Sequence, residues 1–317
     1  MIQQRAAAAG LGLALLSAAT FGTSGSFARS LTDAGWSSGA AVAARISVAA
    51  LILAVPAVLA LRGRWRVLRR DLGMVTVYGL VAVAGCQVFF FNAVQHLSVG
   101  VALLLEYLGT VLVVGWLWLR HGQRPPRLTV IGSVVALVGL AFVIDVAGDS
   151  RLDWVGVLWG LGAAFGLATY FVLSSKGDGD LPPVAMAAGG MTIGAVALLG
   201  LGALGALPMN ATFGTVDFAG HRASWLVPVI GLSLVAAAIA YVAGIGAARI
   251  LGAKLASFVG LTEVVFAMLV AWLLLNELPT GMQFLGGGLI VAGVALVRID
   301  ELRTPTPSEA PVPVPTP

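Results

Sequence analysis

Residues 102–120, ALLLEYLGTVLVVGWLWLR, form the stretch around which the rest of the chain is organised. The stretch is apolar and about as long as a bilayer requires, since a membrane-spanning helix takes about 20 mainly apolar residues. It contains one carboxylate, Glu106, and a charge at bilayer depth costs at least about 2.5–3.5 kcal/mol. Such a residue is normally kept for a function or because it is paired, so Glu106 is the first candidate functional residue.

A second stretch of the same kind lies near the end of the chain. Residues 256–275, ASFVGLTEVVFAMLVAWLLL, enclose Glu263. A shift of 154 positions brings five pairs into register, namely Trp118 with Trp272, Gln123 with Glu277, Pro125 with Pro279, Gly132 with Gly286 and Gly139 with Gly293. The pattern indicates a duplicated chain in which each half holds one acid inside a membrane span.

The composition predicts an all-α integral membrane protein. Hydrophobic residues make up 59% of the chain and charged residues 10%, whereas soluble proteins carry about 25% charged residues. The apolar runs are continuous and do not alternate with polar residues as the strands of a barrel do. The net charge of +4 gives no case for a nucleic-acid partner. The single cysteine, Cys86, excludes a disulfide framework and a cysteine-based zinc site, and no cofactor is expected.

Ten stretches are long and apolar enough to span a bilayer. They are residues 6–28, 36–61, 72–91, 98–119, 128–147, 154–174, 183–207, 225–248, 254–276 and 281–297. With a cytoplasmic N-terminus, fourteen Lys and Arg residues face the cytoplasm and three, Arg29, Arg151 and Arg222, face outward. This asymmetry follows the positive-inside rule. It predicts a multi-pass protein of the cytoplasmic (inner) membrane with both termini cytoplasmic. The lipid bilayer is the expected partner, and the oligomeric state stays open.

The two halves are predicted to have opposite orientations in the membrane. Each half has five spans, an odd number, so the second half enters from the opposite side. This arrangement predicts two inverted-topology five-helix repeats related by a two-fold axis in the membrane plane. Residues 1–150 and 151–300 are the two repeats, and the Pro-rich residues 301–317 are predicted to form a disordered cytoplasmic tail.

Three charged residues inside spans are the main candidates for a site. Glu106 and Glu263 both lie near mid-depth, and their aligned positions differ by three residues, which places them on one helix face. The two-fold axis then turns both carboxylates toward one central cavity. They are candidates for binding a substrate or a proton, or for hydrogen bonding between helices. Arg45 lies too deep to reach the surface easily, and both a pair with Glu106 and a contact with an anionic substrate group stay open.

Further candidates for substrate binding or coupling are polar or aromatic residues of the predicted spans. They are Gln87, Asn92, Tyr107, Thr23, Ser24, Tyr170 and Tyr241. Gln87 lies mid-span and needs a hydrogen-bond partner, whereas Asn92 lies near the outer mouth, where water is available. Thr23 and Ser24 lie between two glycines, which is typical of a discontinuous helix with exposed backbone or of close helix packing. For Tyr170 and Tyr241, lining a pocket and packing against lipid both stay open.

The ten spans in two inverted halves resemble the EamA family of the drug/metabolite transporter superfamily. The resemblance is carried by AVQHLSVGVALLLEYLGTVLVVGWLWLRHGQRPP in the first half and GAARILGAKLASFVGLTEVVFAMLVAWLLLNELP in the second. FGTSGSFARSL resembles the opening of the first family helix, and Val264 stands where proline is frequent in the family. The resemblance covers all but the tail. It implies a solute transporter that works by alternating access, with a central cavity bounded mainly by spans one to four and six to nine.

The prediction for function is therefore a secondary transporter, with export favoured, and not an enzyme. It would move a small metabolite, such as an amino acid or a drug-like amphipathic solute, across the cytoplasmic membrane. The chain has no nucleotide-binding motif, so a proton is a candidate coupling ion. One alternative is a membrane-embedded enzyme acting on a lipid-linked substrate, which would need acids or histidines grouped at one membrane face. The other is a channel or scaffold, which inverted halves meeting at buried charges do not favour.

Overall fold

The computed structural model describes residues 2–97, 99–122, 124–144, 153–176, 180–275 and 278–303. Two predictions fall outside these residues: the register of Gln123 with Glu277, and the disorder of residues 304–317. The first three residues of the predicted tail are helical, because the last helix continues to Arg303.

The described part of the chain is almost entirely helical. In chain order the helices are α1 (Ile2–Gly22), α2 (Ser24–Asp33), α3 (Ser38–Ala60), α4 (Trp65–Arg70), α5 (Leu72–Val77), α6 (Cys86–His96), α7 (Val99–Tyr107), α8 (Gly109–His121), α9 (Arg127–Ile144), α10 (Trp154–Ser175), α11 (Pro183–Ala203), α12 (Leu226–Ile230), α13 (Ala240–Gly260), α14 (Thr262–Leu275) and α15 (Gly281–Arg303). A π-helical segment, π1 (Tyr78–Gly85), joins α5 to α6, and a second, π2 (Gly231–Ile239), joins α12 to α13.

Eight helical stretches of the described chain are long and apolar enough to cross a membrane. They are Arg5–Asp33, Ser38–Ala60, Leu72–His96, Val101–Arg120, Trp154–Ser175, Pro183–Ala203, Leu226–Gly260 and Gly281–Arg303. Two further apolar helices, Arg127–Val143 and Thr262–Leu274, are shorter. The stretch Leu226–Gly260 is broken at Gly252, whose φ of 78° and ψ of 162° lie outside the helical region. The chain is a multi-pass, all-α membrane protein.

Three helices are interrupted by a single residue, at Thr23, Leu108 and Leu261. At each point the backbone N–H bonds to the carbonyl three residues earlier, at 3.1–3.2 Å, which is a 3₁₀ turn. A threonine hydroxyl competes for a helix carbonyl at each break: Thr23 bonds to Thr20, Thr110 to Tyr107 and Thr262 to Val259. Such back-bonding bends helices, and two of the breaks lie within two residues of Glu106 and Glu263.

The two ends of the helical bundle are held by different contacts. At one end, called the basic face below, Arg70 pairs with Asp180 at 3.2 Å and Arg249 donates to the Leu181 carbonyl. At the other end, called the hairpin face, the Trp36 indole N–H donates to the Thr212 carbonyl at 2.7 Å. These contacts place the α10–α11 connection at the basic face and the α11–α12 connection at the hairpin face.

The hairpin face carries a two-stranded antiparallel hairpin that sequence analysis did not predict. Strand β1 (Thr215–Phe218) pairs with β2 (His221–Ser224). The connecting residues Ala219 and Gly220 both have positive φ, 54° and 74°, as a two-residue hairpin turn requires. Phe218 stacks on Phe27 of α2 with ring centroids 5.2 Å apart, so the hairpin rests on the segment that follows the break at Thr23.

Helices α9 and α15 pack against each other through glycines. A β-carbon on Gly132 would lie 2.8 Å from the carbonyl oxygen of Gly293, and one on Gly139 would lie 2.6 Å from that of Gly286. Side chains larger than hydrogen would hold the backbones apart, which is why small residues mark close helix contacts in membranes. The earlier glycine of each helix meets the later glycine of the other, so the two helices run antiparallel.

Candidate functional site

A cavity of about 480 Å³ lies in the centre of the bundle. Its walls come from α1, α2, α3, α6, α7, α10, α13 and α14, with single residues from π1 and π2. Neither α9 nor α15 contributes a residue, and α11 also stays outside the wall. The lining reaches from mid-depth to Thr32 and Ser38 at the connection between α2 and α3, so the cavity extends toward the hairpin face.

The cavity brings together eight of the ten residues that the sequence singled out. They are Glu106, Glu263, Arg45, Tyr107, Gln87, Ser24, Tyr170 and Tyr241. Thr23 and Asn92 do not line it. Thr23 bonds to the Thr20 carbonyl at 2.7 Å and forms the helix break, while the Asn92 amide bonds to the Val88 carbonyl at 2.8 Å within its own helix.

Glu106 lies on the last turn of α7 and is half-buried in the wall of the cavity. Its nearest polar neighbour is Cys86, the first residue of α6, whose thiol donates to Oε1 of Glu106 at 3.3 Å. The same sulfur lies 3.5 Å from the Ala163 carbonyl. The carboxylate therefore has a weak donor on one side and the open cavity on the other.

Glu263 lies on the first turn of α14, next to the break at Leu261. The Tyr107 hydroxyl faces its carboxylate, and Tyr107 itself is only 8% exposed. A phenol donates a stronger hydrogen bond than a thiol. The two acids thus occupy one cavity but have different partners, and the Tyr107 ring comes from the same turn of α7 as Glu106.

Arg45 is 7% exposed and is not paired with an acid among the described residues. Its guanidinium donates to the Ala236 carbonyl of π2 and lies 5.8 Å from the centroid of the Phe21 ring. Its Nε is buried without a hydrogen-bond partner. The ion pair with Glu106 that the sequence suggested is not formed, because the shifted hydrogen-bond ladder of π2 offers a backbone acceptor instead.

An aromatic layer lies between the cavity and the largest hydrophobic cluster. The Tyr170 ring lies between Tyr78 and Tyr241, with centroid distances of 5.9 and 5.5 Å. The Tyr241 ring also contacts Phe21 edge-on at 5.1 Å. Tyr78 is fully buried in the largest hydrophobic cluster, which continues to the basic face.

Sequence analysis missed Cys86 and Phe21 as site residues. The single cysteine was considered only for disulfides and zinc, and Phe21 was not among the candidate residues. A usable signal was present for Cys86, since it precedes Gln87 in the middle of a span. No sequence signal identifies the Phe21 ring as a contact of Arg45, because that contact depends on how α1 and α3 cross.

The fold and the cavity define a multi-pass membrane protein with one polar site at its centre. Residues 8–145 and 154–299 each match the EamA-like transporter family. These two matches cover most of the chain, so the protein belongs to the EamA-like transporter family, as its sequence pattern predicted.

Three comparisons with known proteins describe this relationship further. The uncharacterized inner membrane transporter YicL of Salmonella typhimurium is 26% identical over 74% of this chain and 76% of its own length. A probable terminal-alkyne amino-acid exporter of Streptantibioticus cattleyicolor is 29% identical over 80% of this chain and 82% of its own. A solved crystal structure covers 95% of this chain and 99% of that chain with a TM-score of 0.73 and 19% sequence identity; at that identity the similarity shows the fold.

Proposed function

We propose that this protein is a secondary transporter that exports a small amphipathic solute, such as an amino acid, across the cytoplasmic membrane by alternating access. The observation that carries the proposal is the central cavity, which holds two acids and an arginine and opens toward one face. Its volume of about 480 Å³ is within the range of small-molecule sites, about 300–1,000 Å³. The similarity to an amino-acid exporter supports the same substrate class.

The charges in the cavity suit a solute that carries both an amine and an acid group. The buried Nε of Arg45 is a donor without a partner, and buried donors are normally satisfied. A carboxylate of the solute would supply the missing acceptor. Glu106 or Glu263 would hold an amine, and the rings of Phe21 and Phe91, which also line the cavity, would contact an apolar portion.

Several features support ten spans in two inverted repeats. The break at Gly252 divides the longest helical stretch into two. The π segments begin 153 positions apart (231 − 78) and end 154 apart (239 − 85), which matches the repeat of the sequence. The shift of 154 positions maps Gly132 onto Gly286 and Gly139 onto Gly293. It therefore maps the contact of Gly132 with Gly293 onto the contact of Gly286 with Gly139. Helices related by an axis along the membrane normal would run parallel, whereas α9 and α15 run antiparallel.

The orientation is proposed from the distribution of basic residues. The basic face includes the connection between α3 and α5, which carries Arg62, Arg64, Arg66, Arg69 and Arg70. Cytoplasmic loops are enriched in Lys and Arg, so this face is proposed to be cytoplasmic, with both termini on the same side. The cavity then opens to the outside, and the tyrosine layer closes it toward the cytoplasm.

The alternative functions receive less support from the site. An enzyme acting on a lipid-linked substrate would need its acids near a membrane face, but Glu106 and Glu263 line a central cavity. A channel would need a continuous path, whereas Tyr78, Tyr170 and Tyr241 close the basic-face end of this cavity. The central position of the acids therefore favours a carrier over an enzyme, and the tyrosine layer favours a carrier over a channel.

A plug variant with a matched control tests the proposal. Gly25 lines the cavity and Gly12 lies earlier in the same span outside it, and a β-carbon at either position meets nothing within 4 Å. Purified protein in proteoliposomes is tested with a panel of amino acids and amphipathic amines, with and without a pH gradient. We expect Gly25→Trp to abolish transport of the solute that wild type carries, and Gly12→Trp to retain it. Equal transport by both variants would contradict a role for this cavity.

A further inference from the structure

A second, almost wholly apolar space lies between the helix formed by π1 and α6 and helix α11. It has a volume of about 420 Å³ and opens on the outer surface of the bundle, away from the central cavity. Its walls are π1 and α6 on one side and the second half of α11 on the other. We propose that this crevice is a binding site for one acyl chain of a membrane phospholipid.

The crevice exists because α11 and the helix formed by π1 and α6 are in contact along their first halves and separate along their second halves. A β-carbon on Gly79 would lie 2.6 Å from the Gly190 carbonyl oxygen, and one on Gly194 would lie 2.7 Å from Cγ1 of Val83. These contacts fix the helices together on the side of the basic face. Beyond Gly194 no such contact continues, and the space between the helices widens toward the hairpin face.

Only an apolar occupant fits the chemistry of this crevice. Ala84, which is 3% exposed, belongs to a lining of alanine, glycine, valine, leucine and phenylalanine residues. A water molecule needs two to four polar partners, and a polar solute would lose its hydrogen bonds. An empty space would forfeit the dispersion contacts of its whole lining.

The shape of the crevice fits a lipid chain in one leaflet. Val196 and Leu204 bound its length on α11, and eight residues at 1.5 Å rise span about 12 Å. One leaflet is half of a hydrocarbon core of about 30 Å. Val196 is 67% exposed and Leu204 83%, so the crevice is continuous with the bilayer along its open side.

The crevice and the central cavity share one wall. Ala84 and Gly85 line the crevice, whereas Ala82 and Cys86, in the same turns, line the cavity. An acyl chain held here lies one helix away from the thiol that bonds to Glu106.

Photolabelling in vesicles tests the proposal with a matched pair of glycines. Gly200 lines the crevice and Gly288 lies on the exposed side of α15, and a β-carbon at either position meets nothing within 4 Å. The probe is phosphatidylethanolamine with a diazirine in the middle of one acyl chain, and labelled peptides are identified by mass spectrometry. We expect labelling concentrated on residues 80–89 and 196–204. Gly200→Phe should reduce it at least fivefold, and Gly288→Phe should not.

Four outcomes would overturn the proposal, three of them in the labelling experiment itself. They are labelling spread evenly over the lipid-facing helices, unchanged labelling of Gly200→Phe, and loss of labelling when the transported solute is added. A fourth is efficient cross-linking of Gly200→Cys between two protein copies, which would make the crevice an interface. Val196→Trp fills the same crevice from an exposed position and should repeat the loss if Gly200→Phe fails to fold, as judged by gel filtration.

Discussion

Glu106 and Glu263 line the same cavity, but their carboxylates have different hydrogen-bond partners. Glu106 accepts from a thiol and Glu263 faces a phenol, and both come from helices that are broken close to the acid. The breaks at Leu108 and Leu261 leave helix ends near mid-depth, where backbone groups can face the cavity. Unwound backbone of this kind is tolerated in membranes only where it is buried in protein or lines a cavity.

The first prediction concerns the charge of Glu106. Glu106→Gln keeps the shape of the side chain and removes its charge, so we expect folded protein with transport reduced at least tenfold. If Glu106 couples protons, the variant still binds and exchanges solute but no longer responds to a pH gradient. If Glu106 holds an amine, binding itself is lost. Proteoliposome flux and solute binding distinguish these cases.

The control for Glu106 is an acid outside the cavity. Asp217 is exposed on β1, so Asp217→Asn removes the same charge without touching the site and should transport normally. Gradient-driven transport by a well-folded Glu106→Gln protein at the wild-type rate would leave this acid with a structural role only.

The second prediction concerns Arg45, whose guanidinium bonds to a backbone carbonyl and not to an acid. Loss of a hydrogen bond to a charged group costs about 1.5–3 kcal/mol, so Arg45→Met should lower the unfolding free energy in detergent by about that amount. Because Arg45 and Glu106 line one cavity without forming an ion pair, the double variant Arg45→Met/Glu106→Gln should show a coupling energy of less than about 1 kcal/mol. A coupling energy above about 1 kcal/mol would mean that the two side chains do meet in the folded protein.

Among the elements, the glycine contacts of α9 and α15 give the third prediction. Gly139→Ala and Gly286→Ala each place a methyl group against a backbone carbonyl, at 2.6 and 2.5 Å, so the helices must move apart. Overpacking of this kind costs about 1–3 kcal/mol, and the two variants should cost similar amounts because they change the same contact. Melting in detergent measures the loss.

Gly288→Ala is the internal control for this pair. Gly288 lies on the same helix as Gly286, and a β-carbon there meets nothing within 4 Å, so Gly288→Ala should leave the stability unchanged or raise it by up to about 1 kcal/mol, because alanine favours a helix over glycine. Equal losses for Gly286→Ala and Gly288→Ala would contradict the assignment of the effect to the contact between α9 and α15.

The sequence predicted the helices well because apolar runs and basic loops are local signals. It did not predict π1 and π2, since a π-helical ladder depends on neighbours such as Gly190 that lie far away in the chain. The hairpin at residues 215–224 carried a local signal, because apolar and polar residues alternate on both sides of Gly220. The segment was nevertheless treated as a loop because it lies between two long predicted spans. Of the two alternatives left open for Arg45, the pair with Glu106 is not formed, because the guanidinium donates to the Ala236 backbone carbonyl, an acceptor that the side-chain sequence does not reveal.

In the whole molecule, the proposed function requires asymmetric access to the site. The cavity lining reaches Thr32 and Ser38 at the hairpin face, and the layer of Tyr78, Tyr170 and Tyr241 is proposed to close the path toward the basic face. Two polar contacts, Arg70 with Asp180 and Arg249 with the Leu181 carbonyl, hold the α10–α11 connection in place beyond that layer. Under the alternating access proposed above, opening toward the basic face would require these contacts and the tyrosine layer to separate.

The last prediction tests that opening with a buried serine behind the tyrosine layer. Ser174 lies near the basic-face end of α10 and is fully buried, and Ser174→Cys changes one atom of its side chain. In a Cys86→Ala background, we expect this cysteine to resist an impermeant thiol reagent while no solute is present. Addition of transported solute should expose it to reagent on the basic face only, because a carrier that works by alternating access, as proposed, would then pass through the oppositely open state. Steady reactivity from both faces without solute would instead indicate a channel. Ser38→Cys, at the open end of the cavity, should react from the hairpin face at once and be protected by solute, which establishes that the reagent reaches the site.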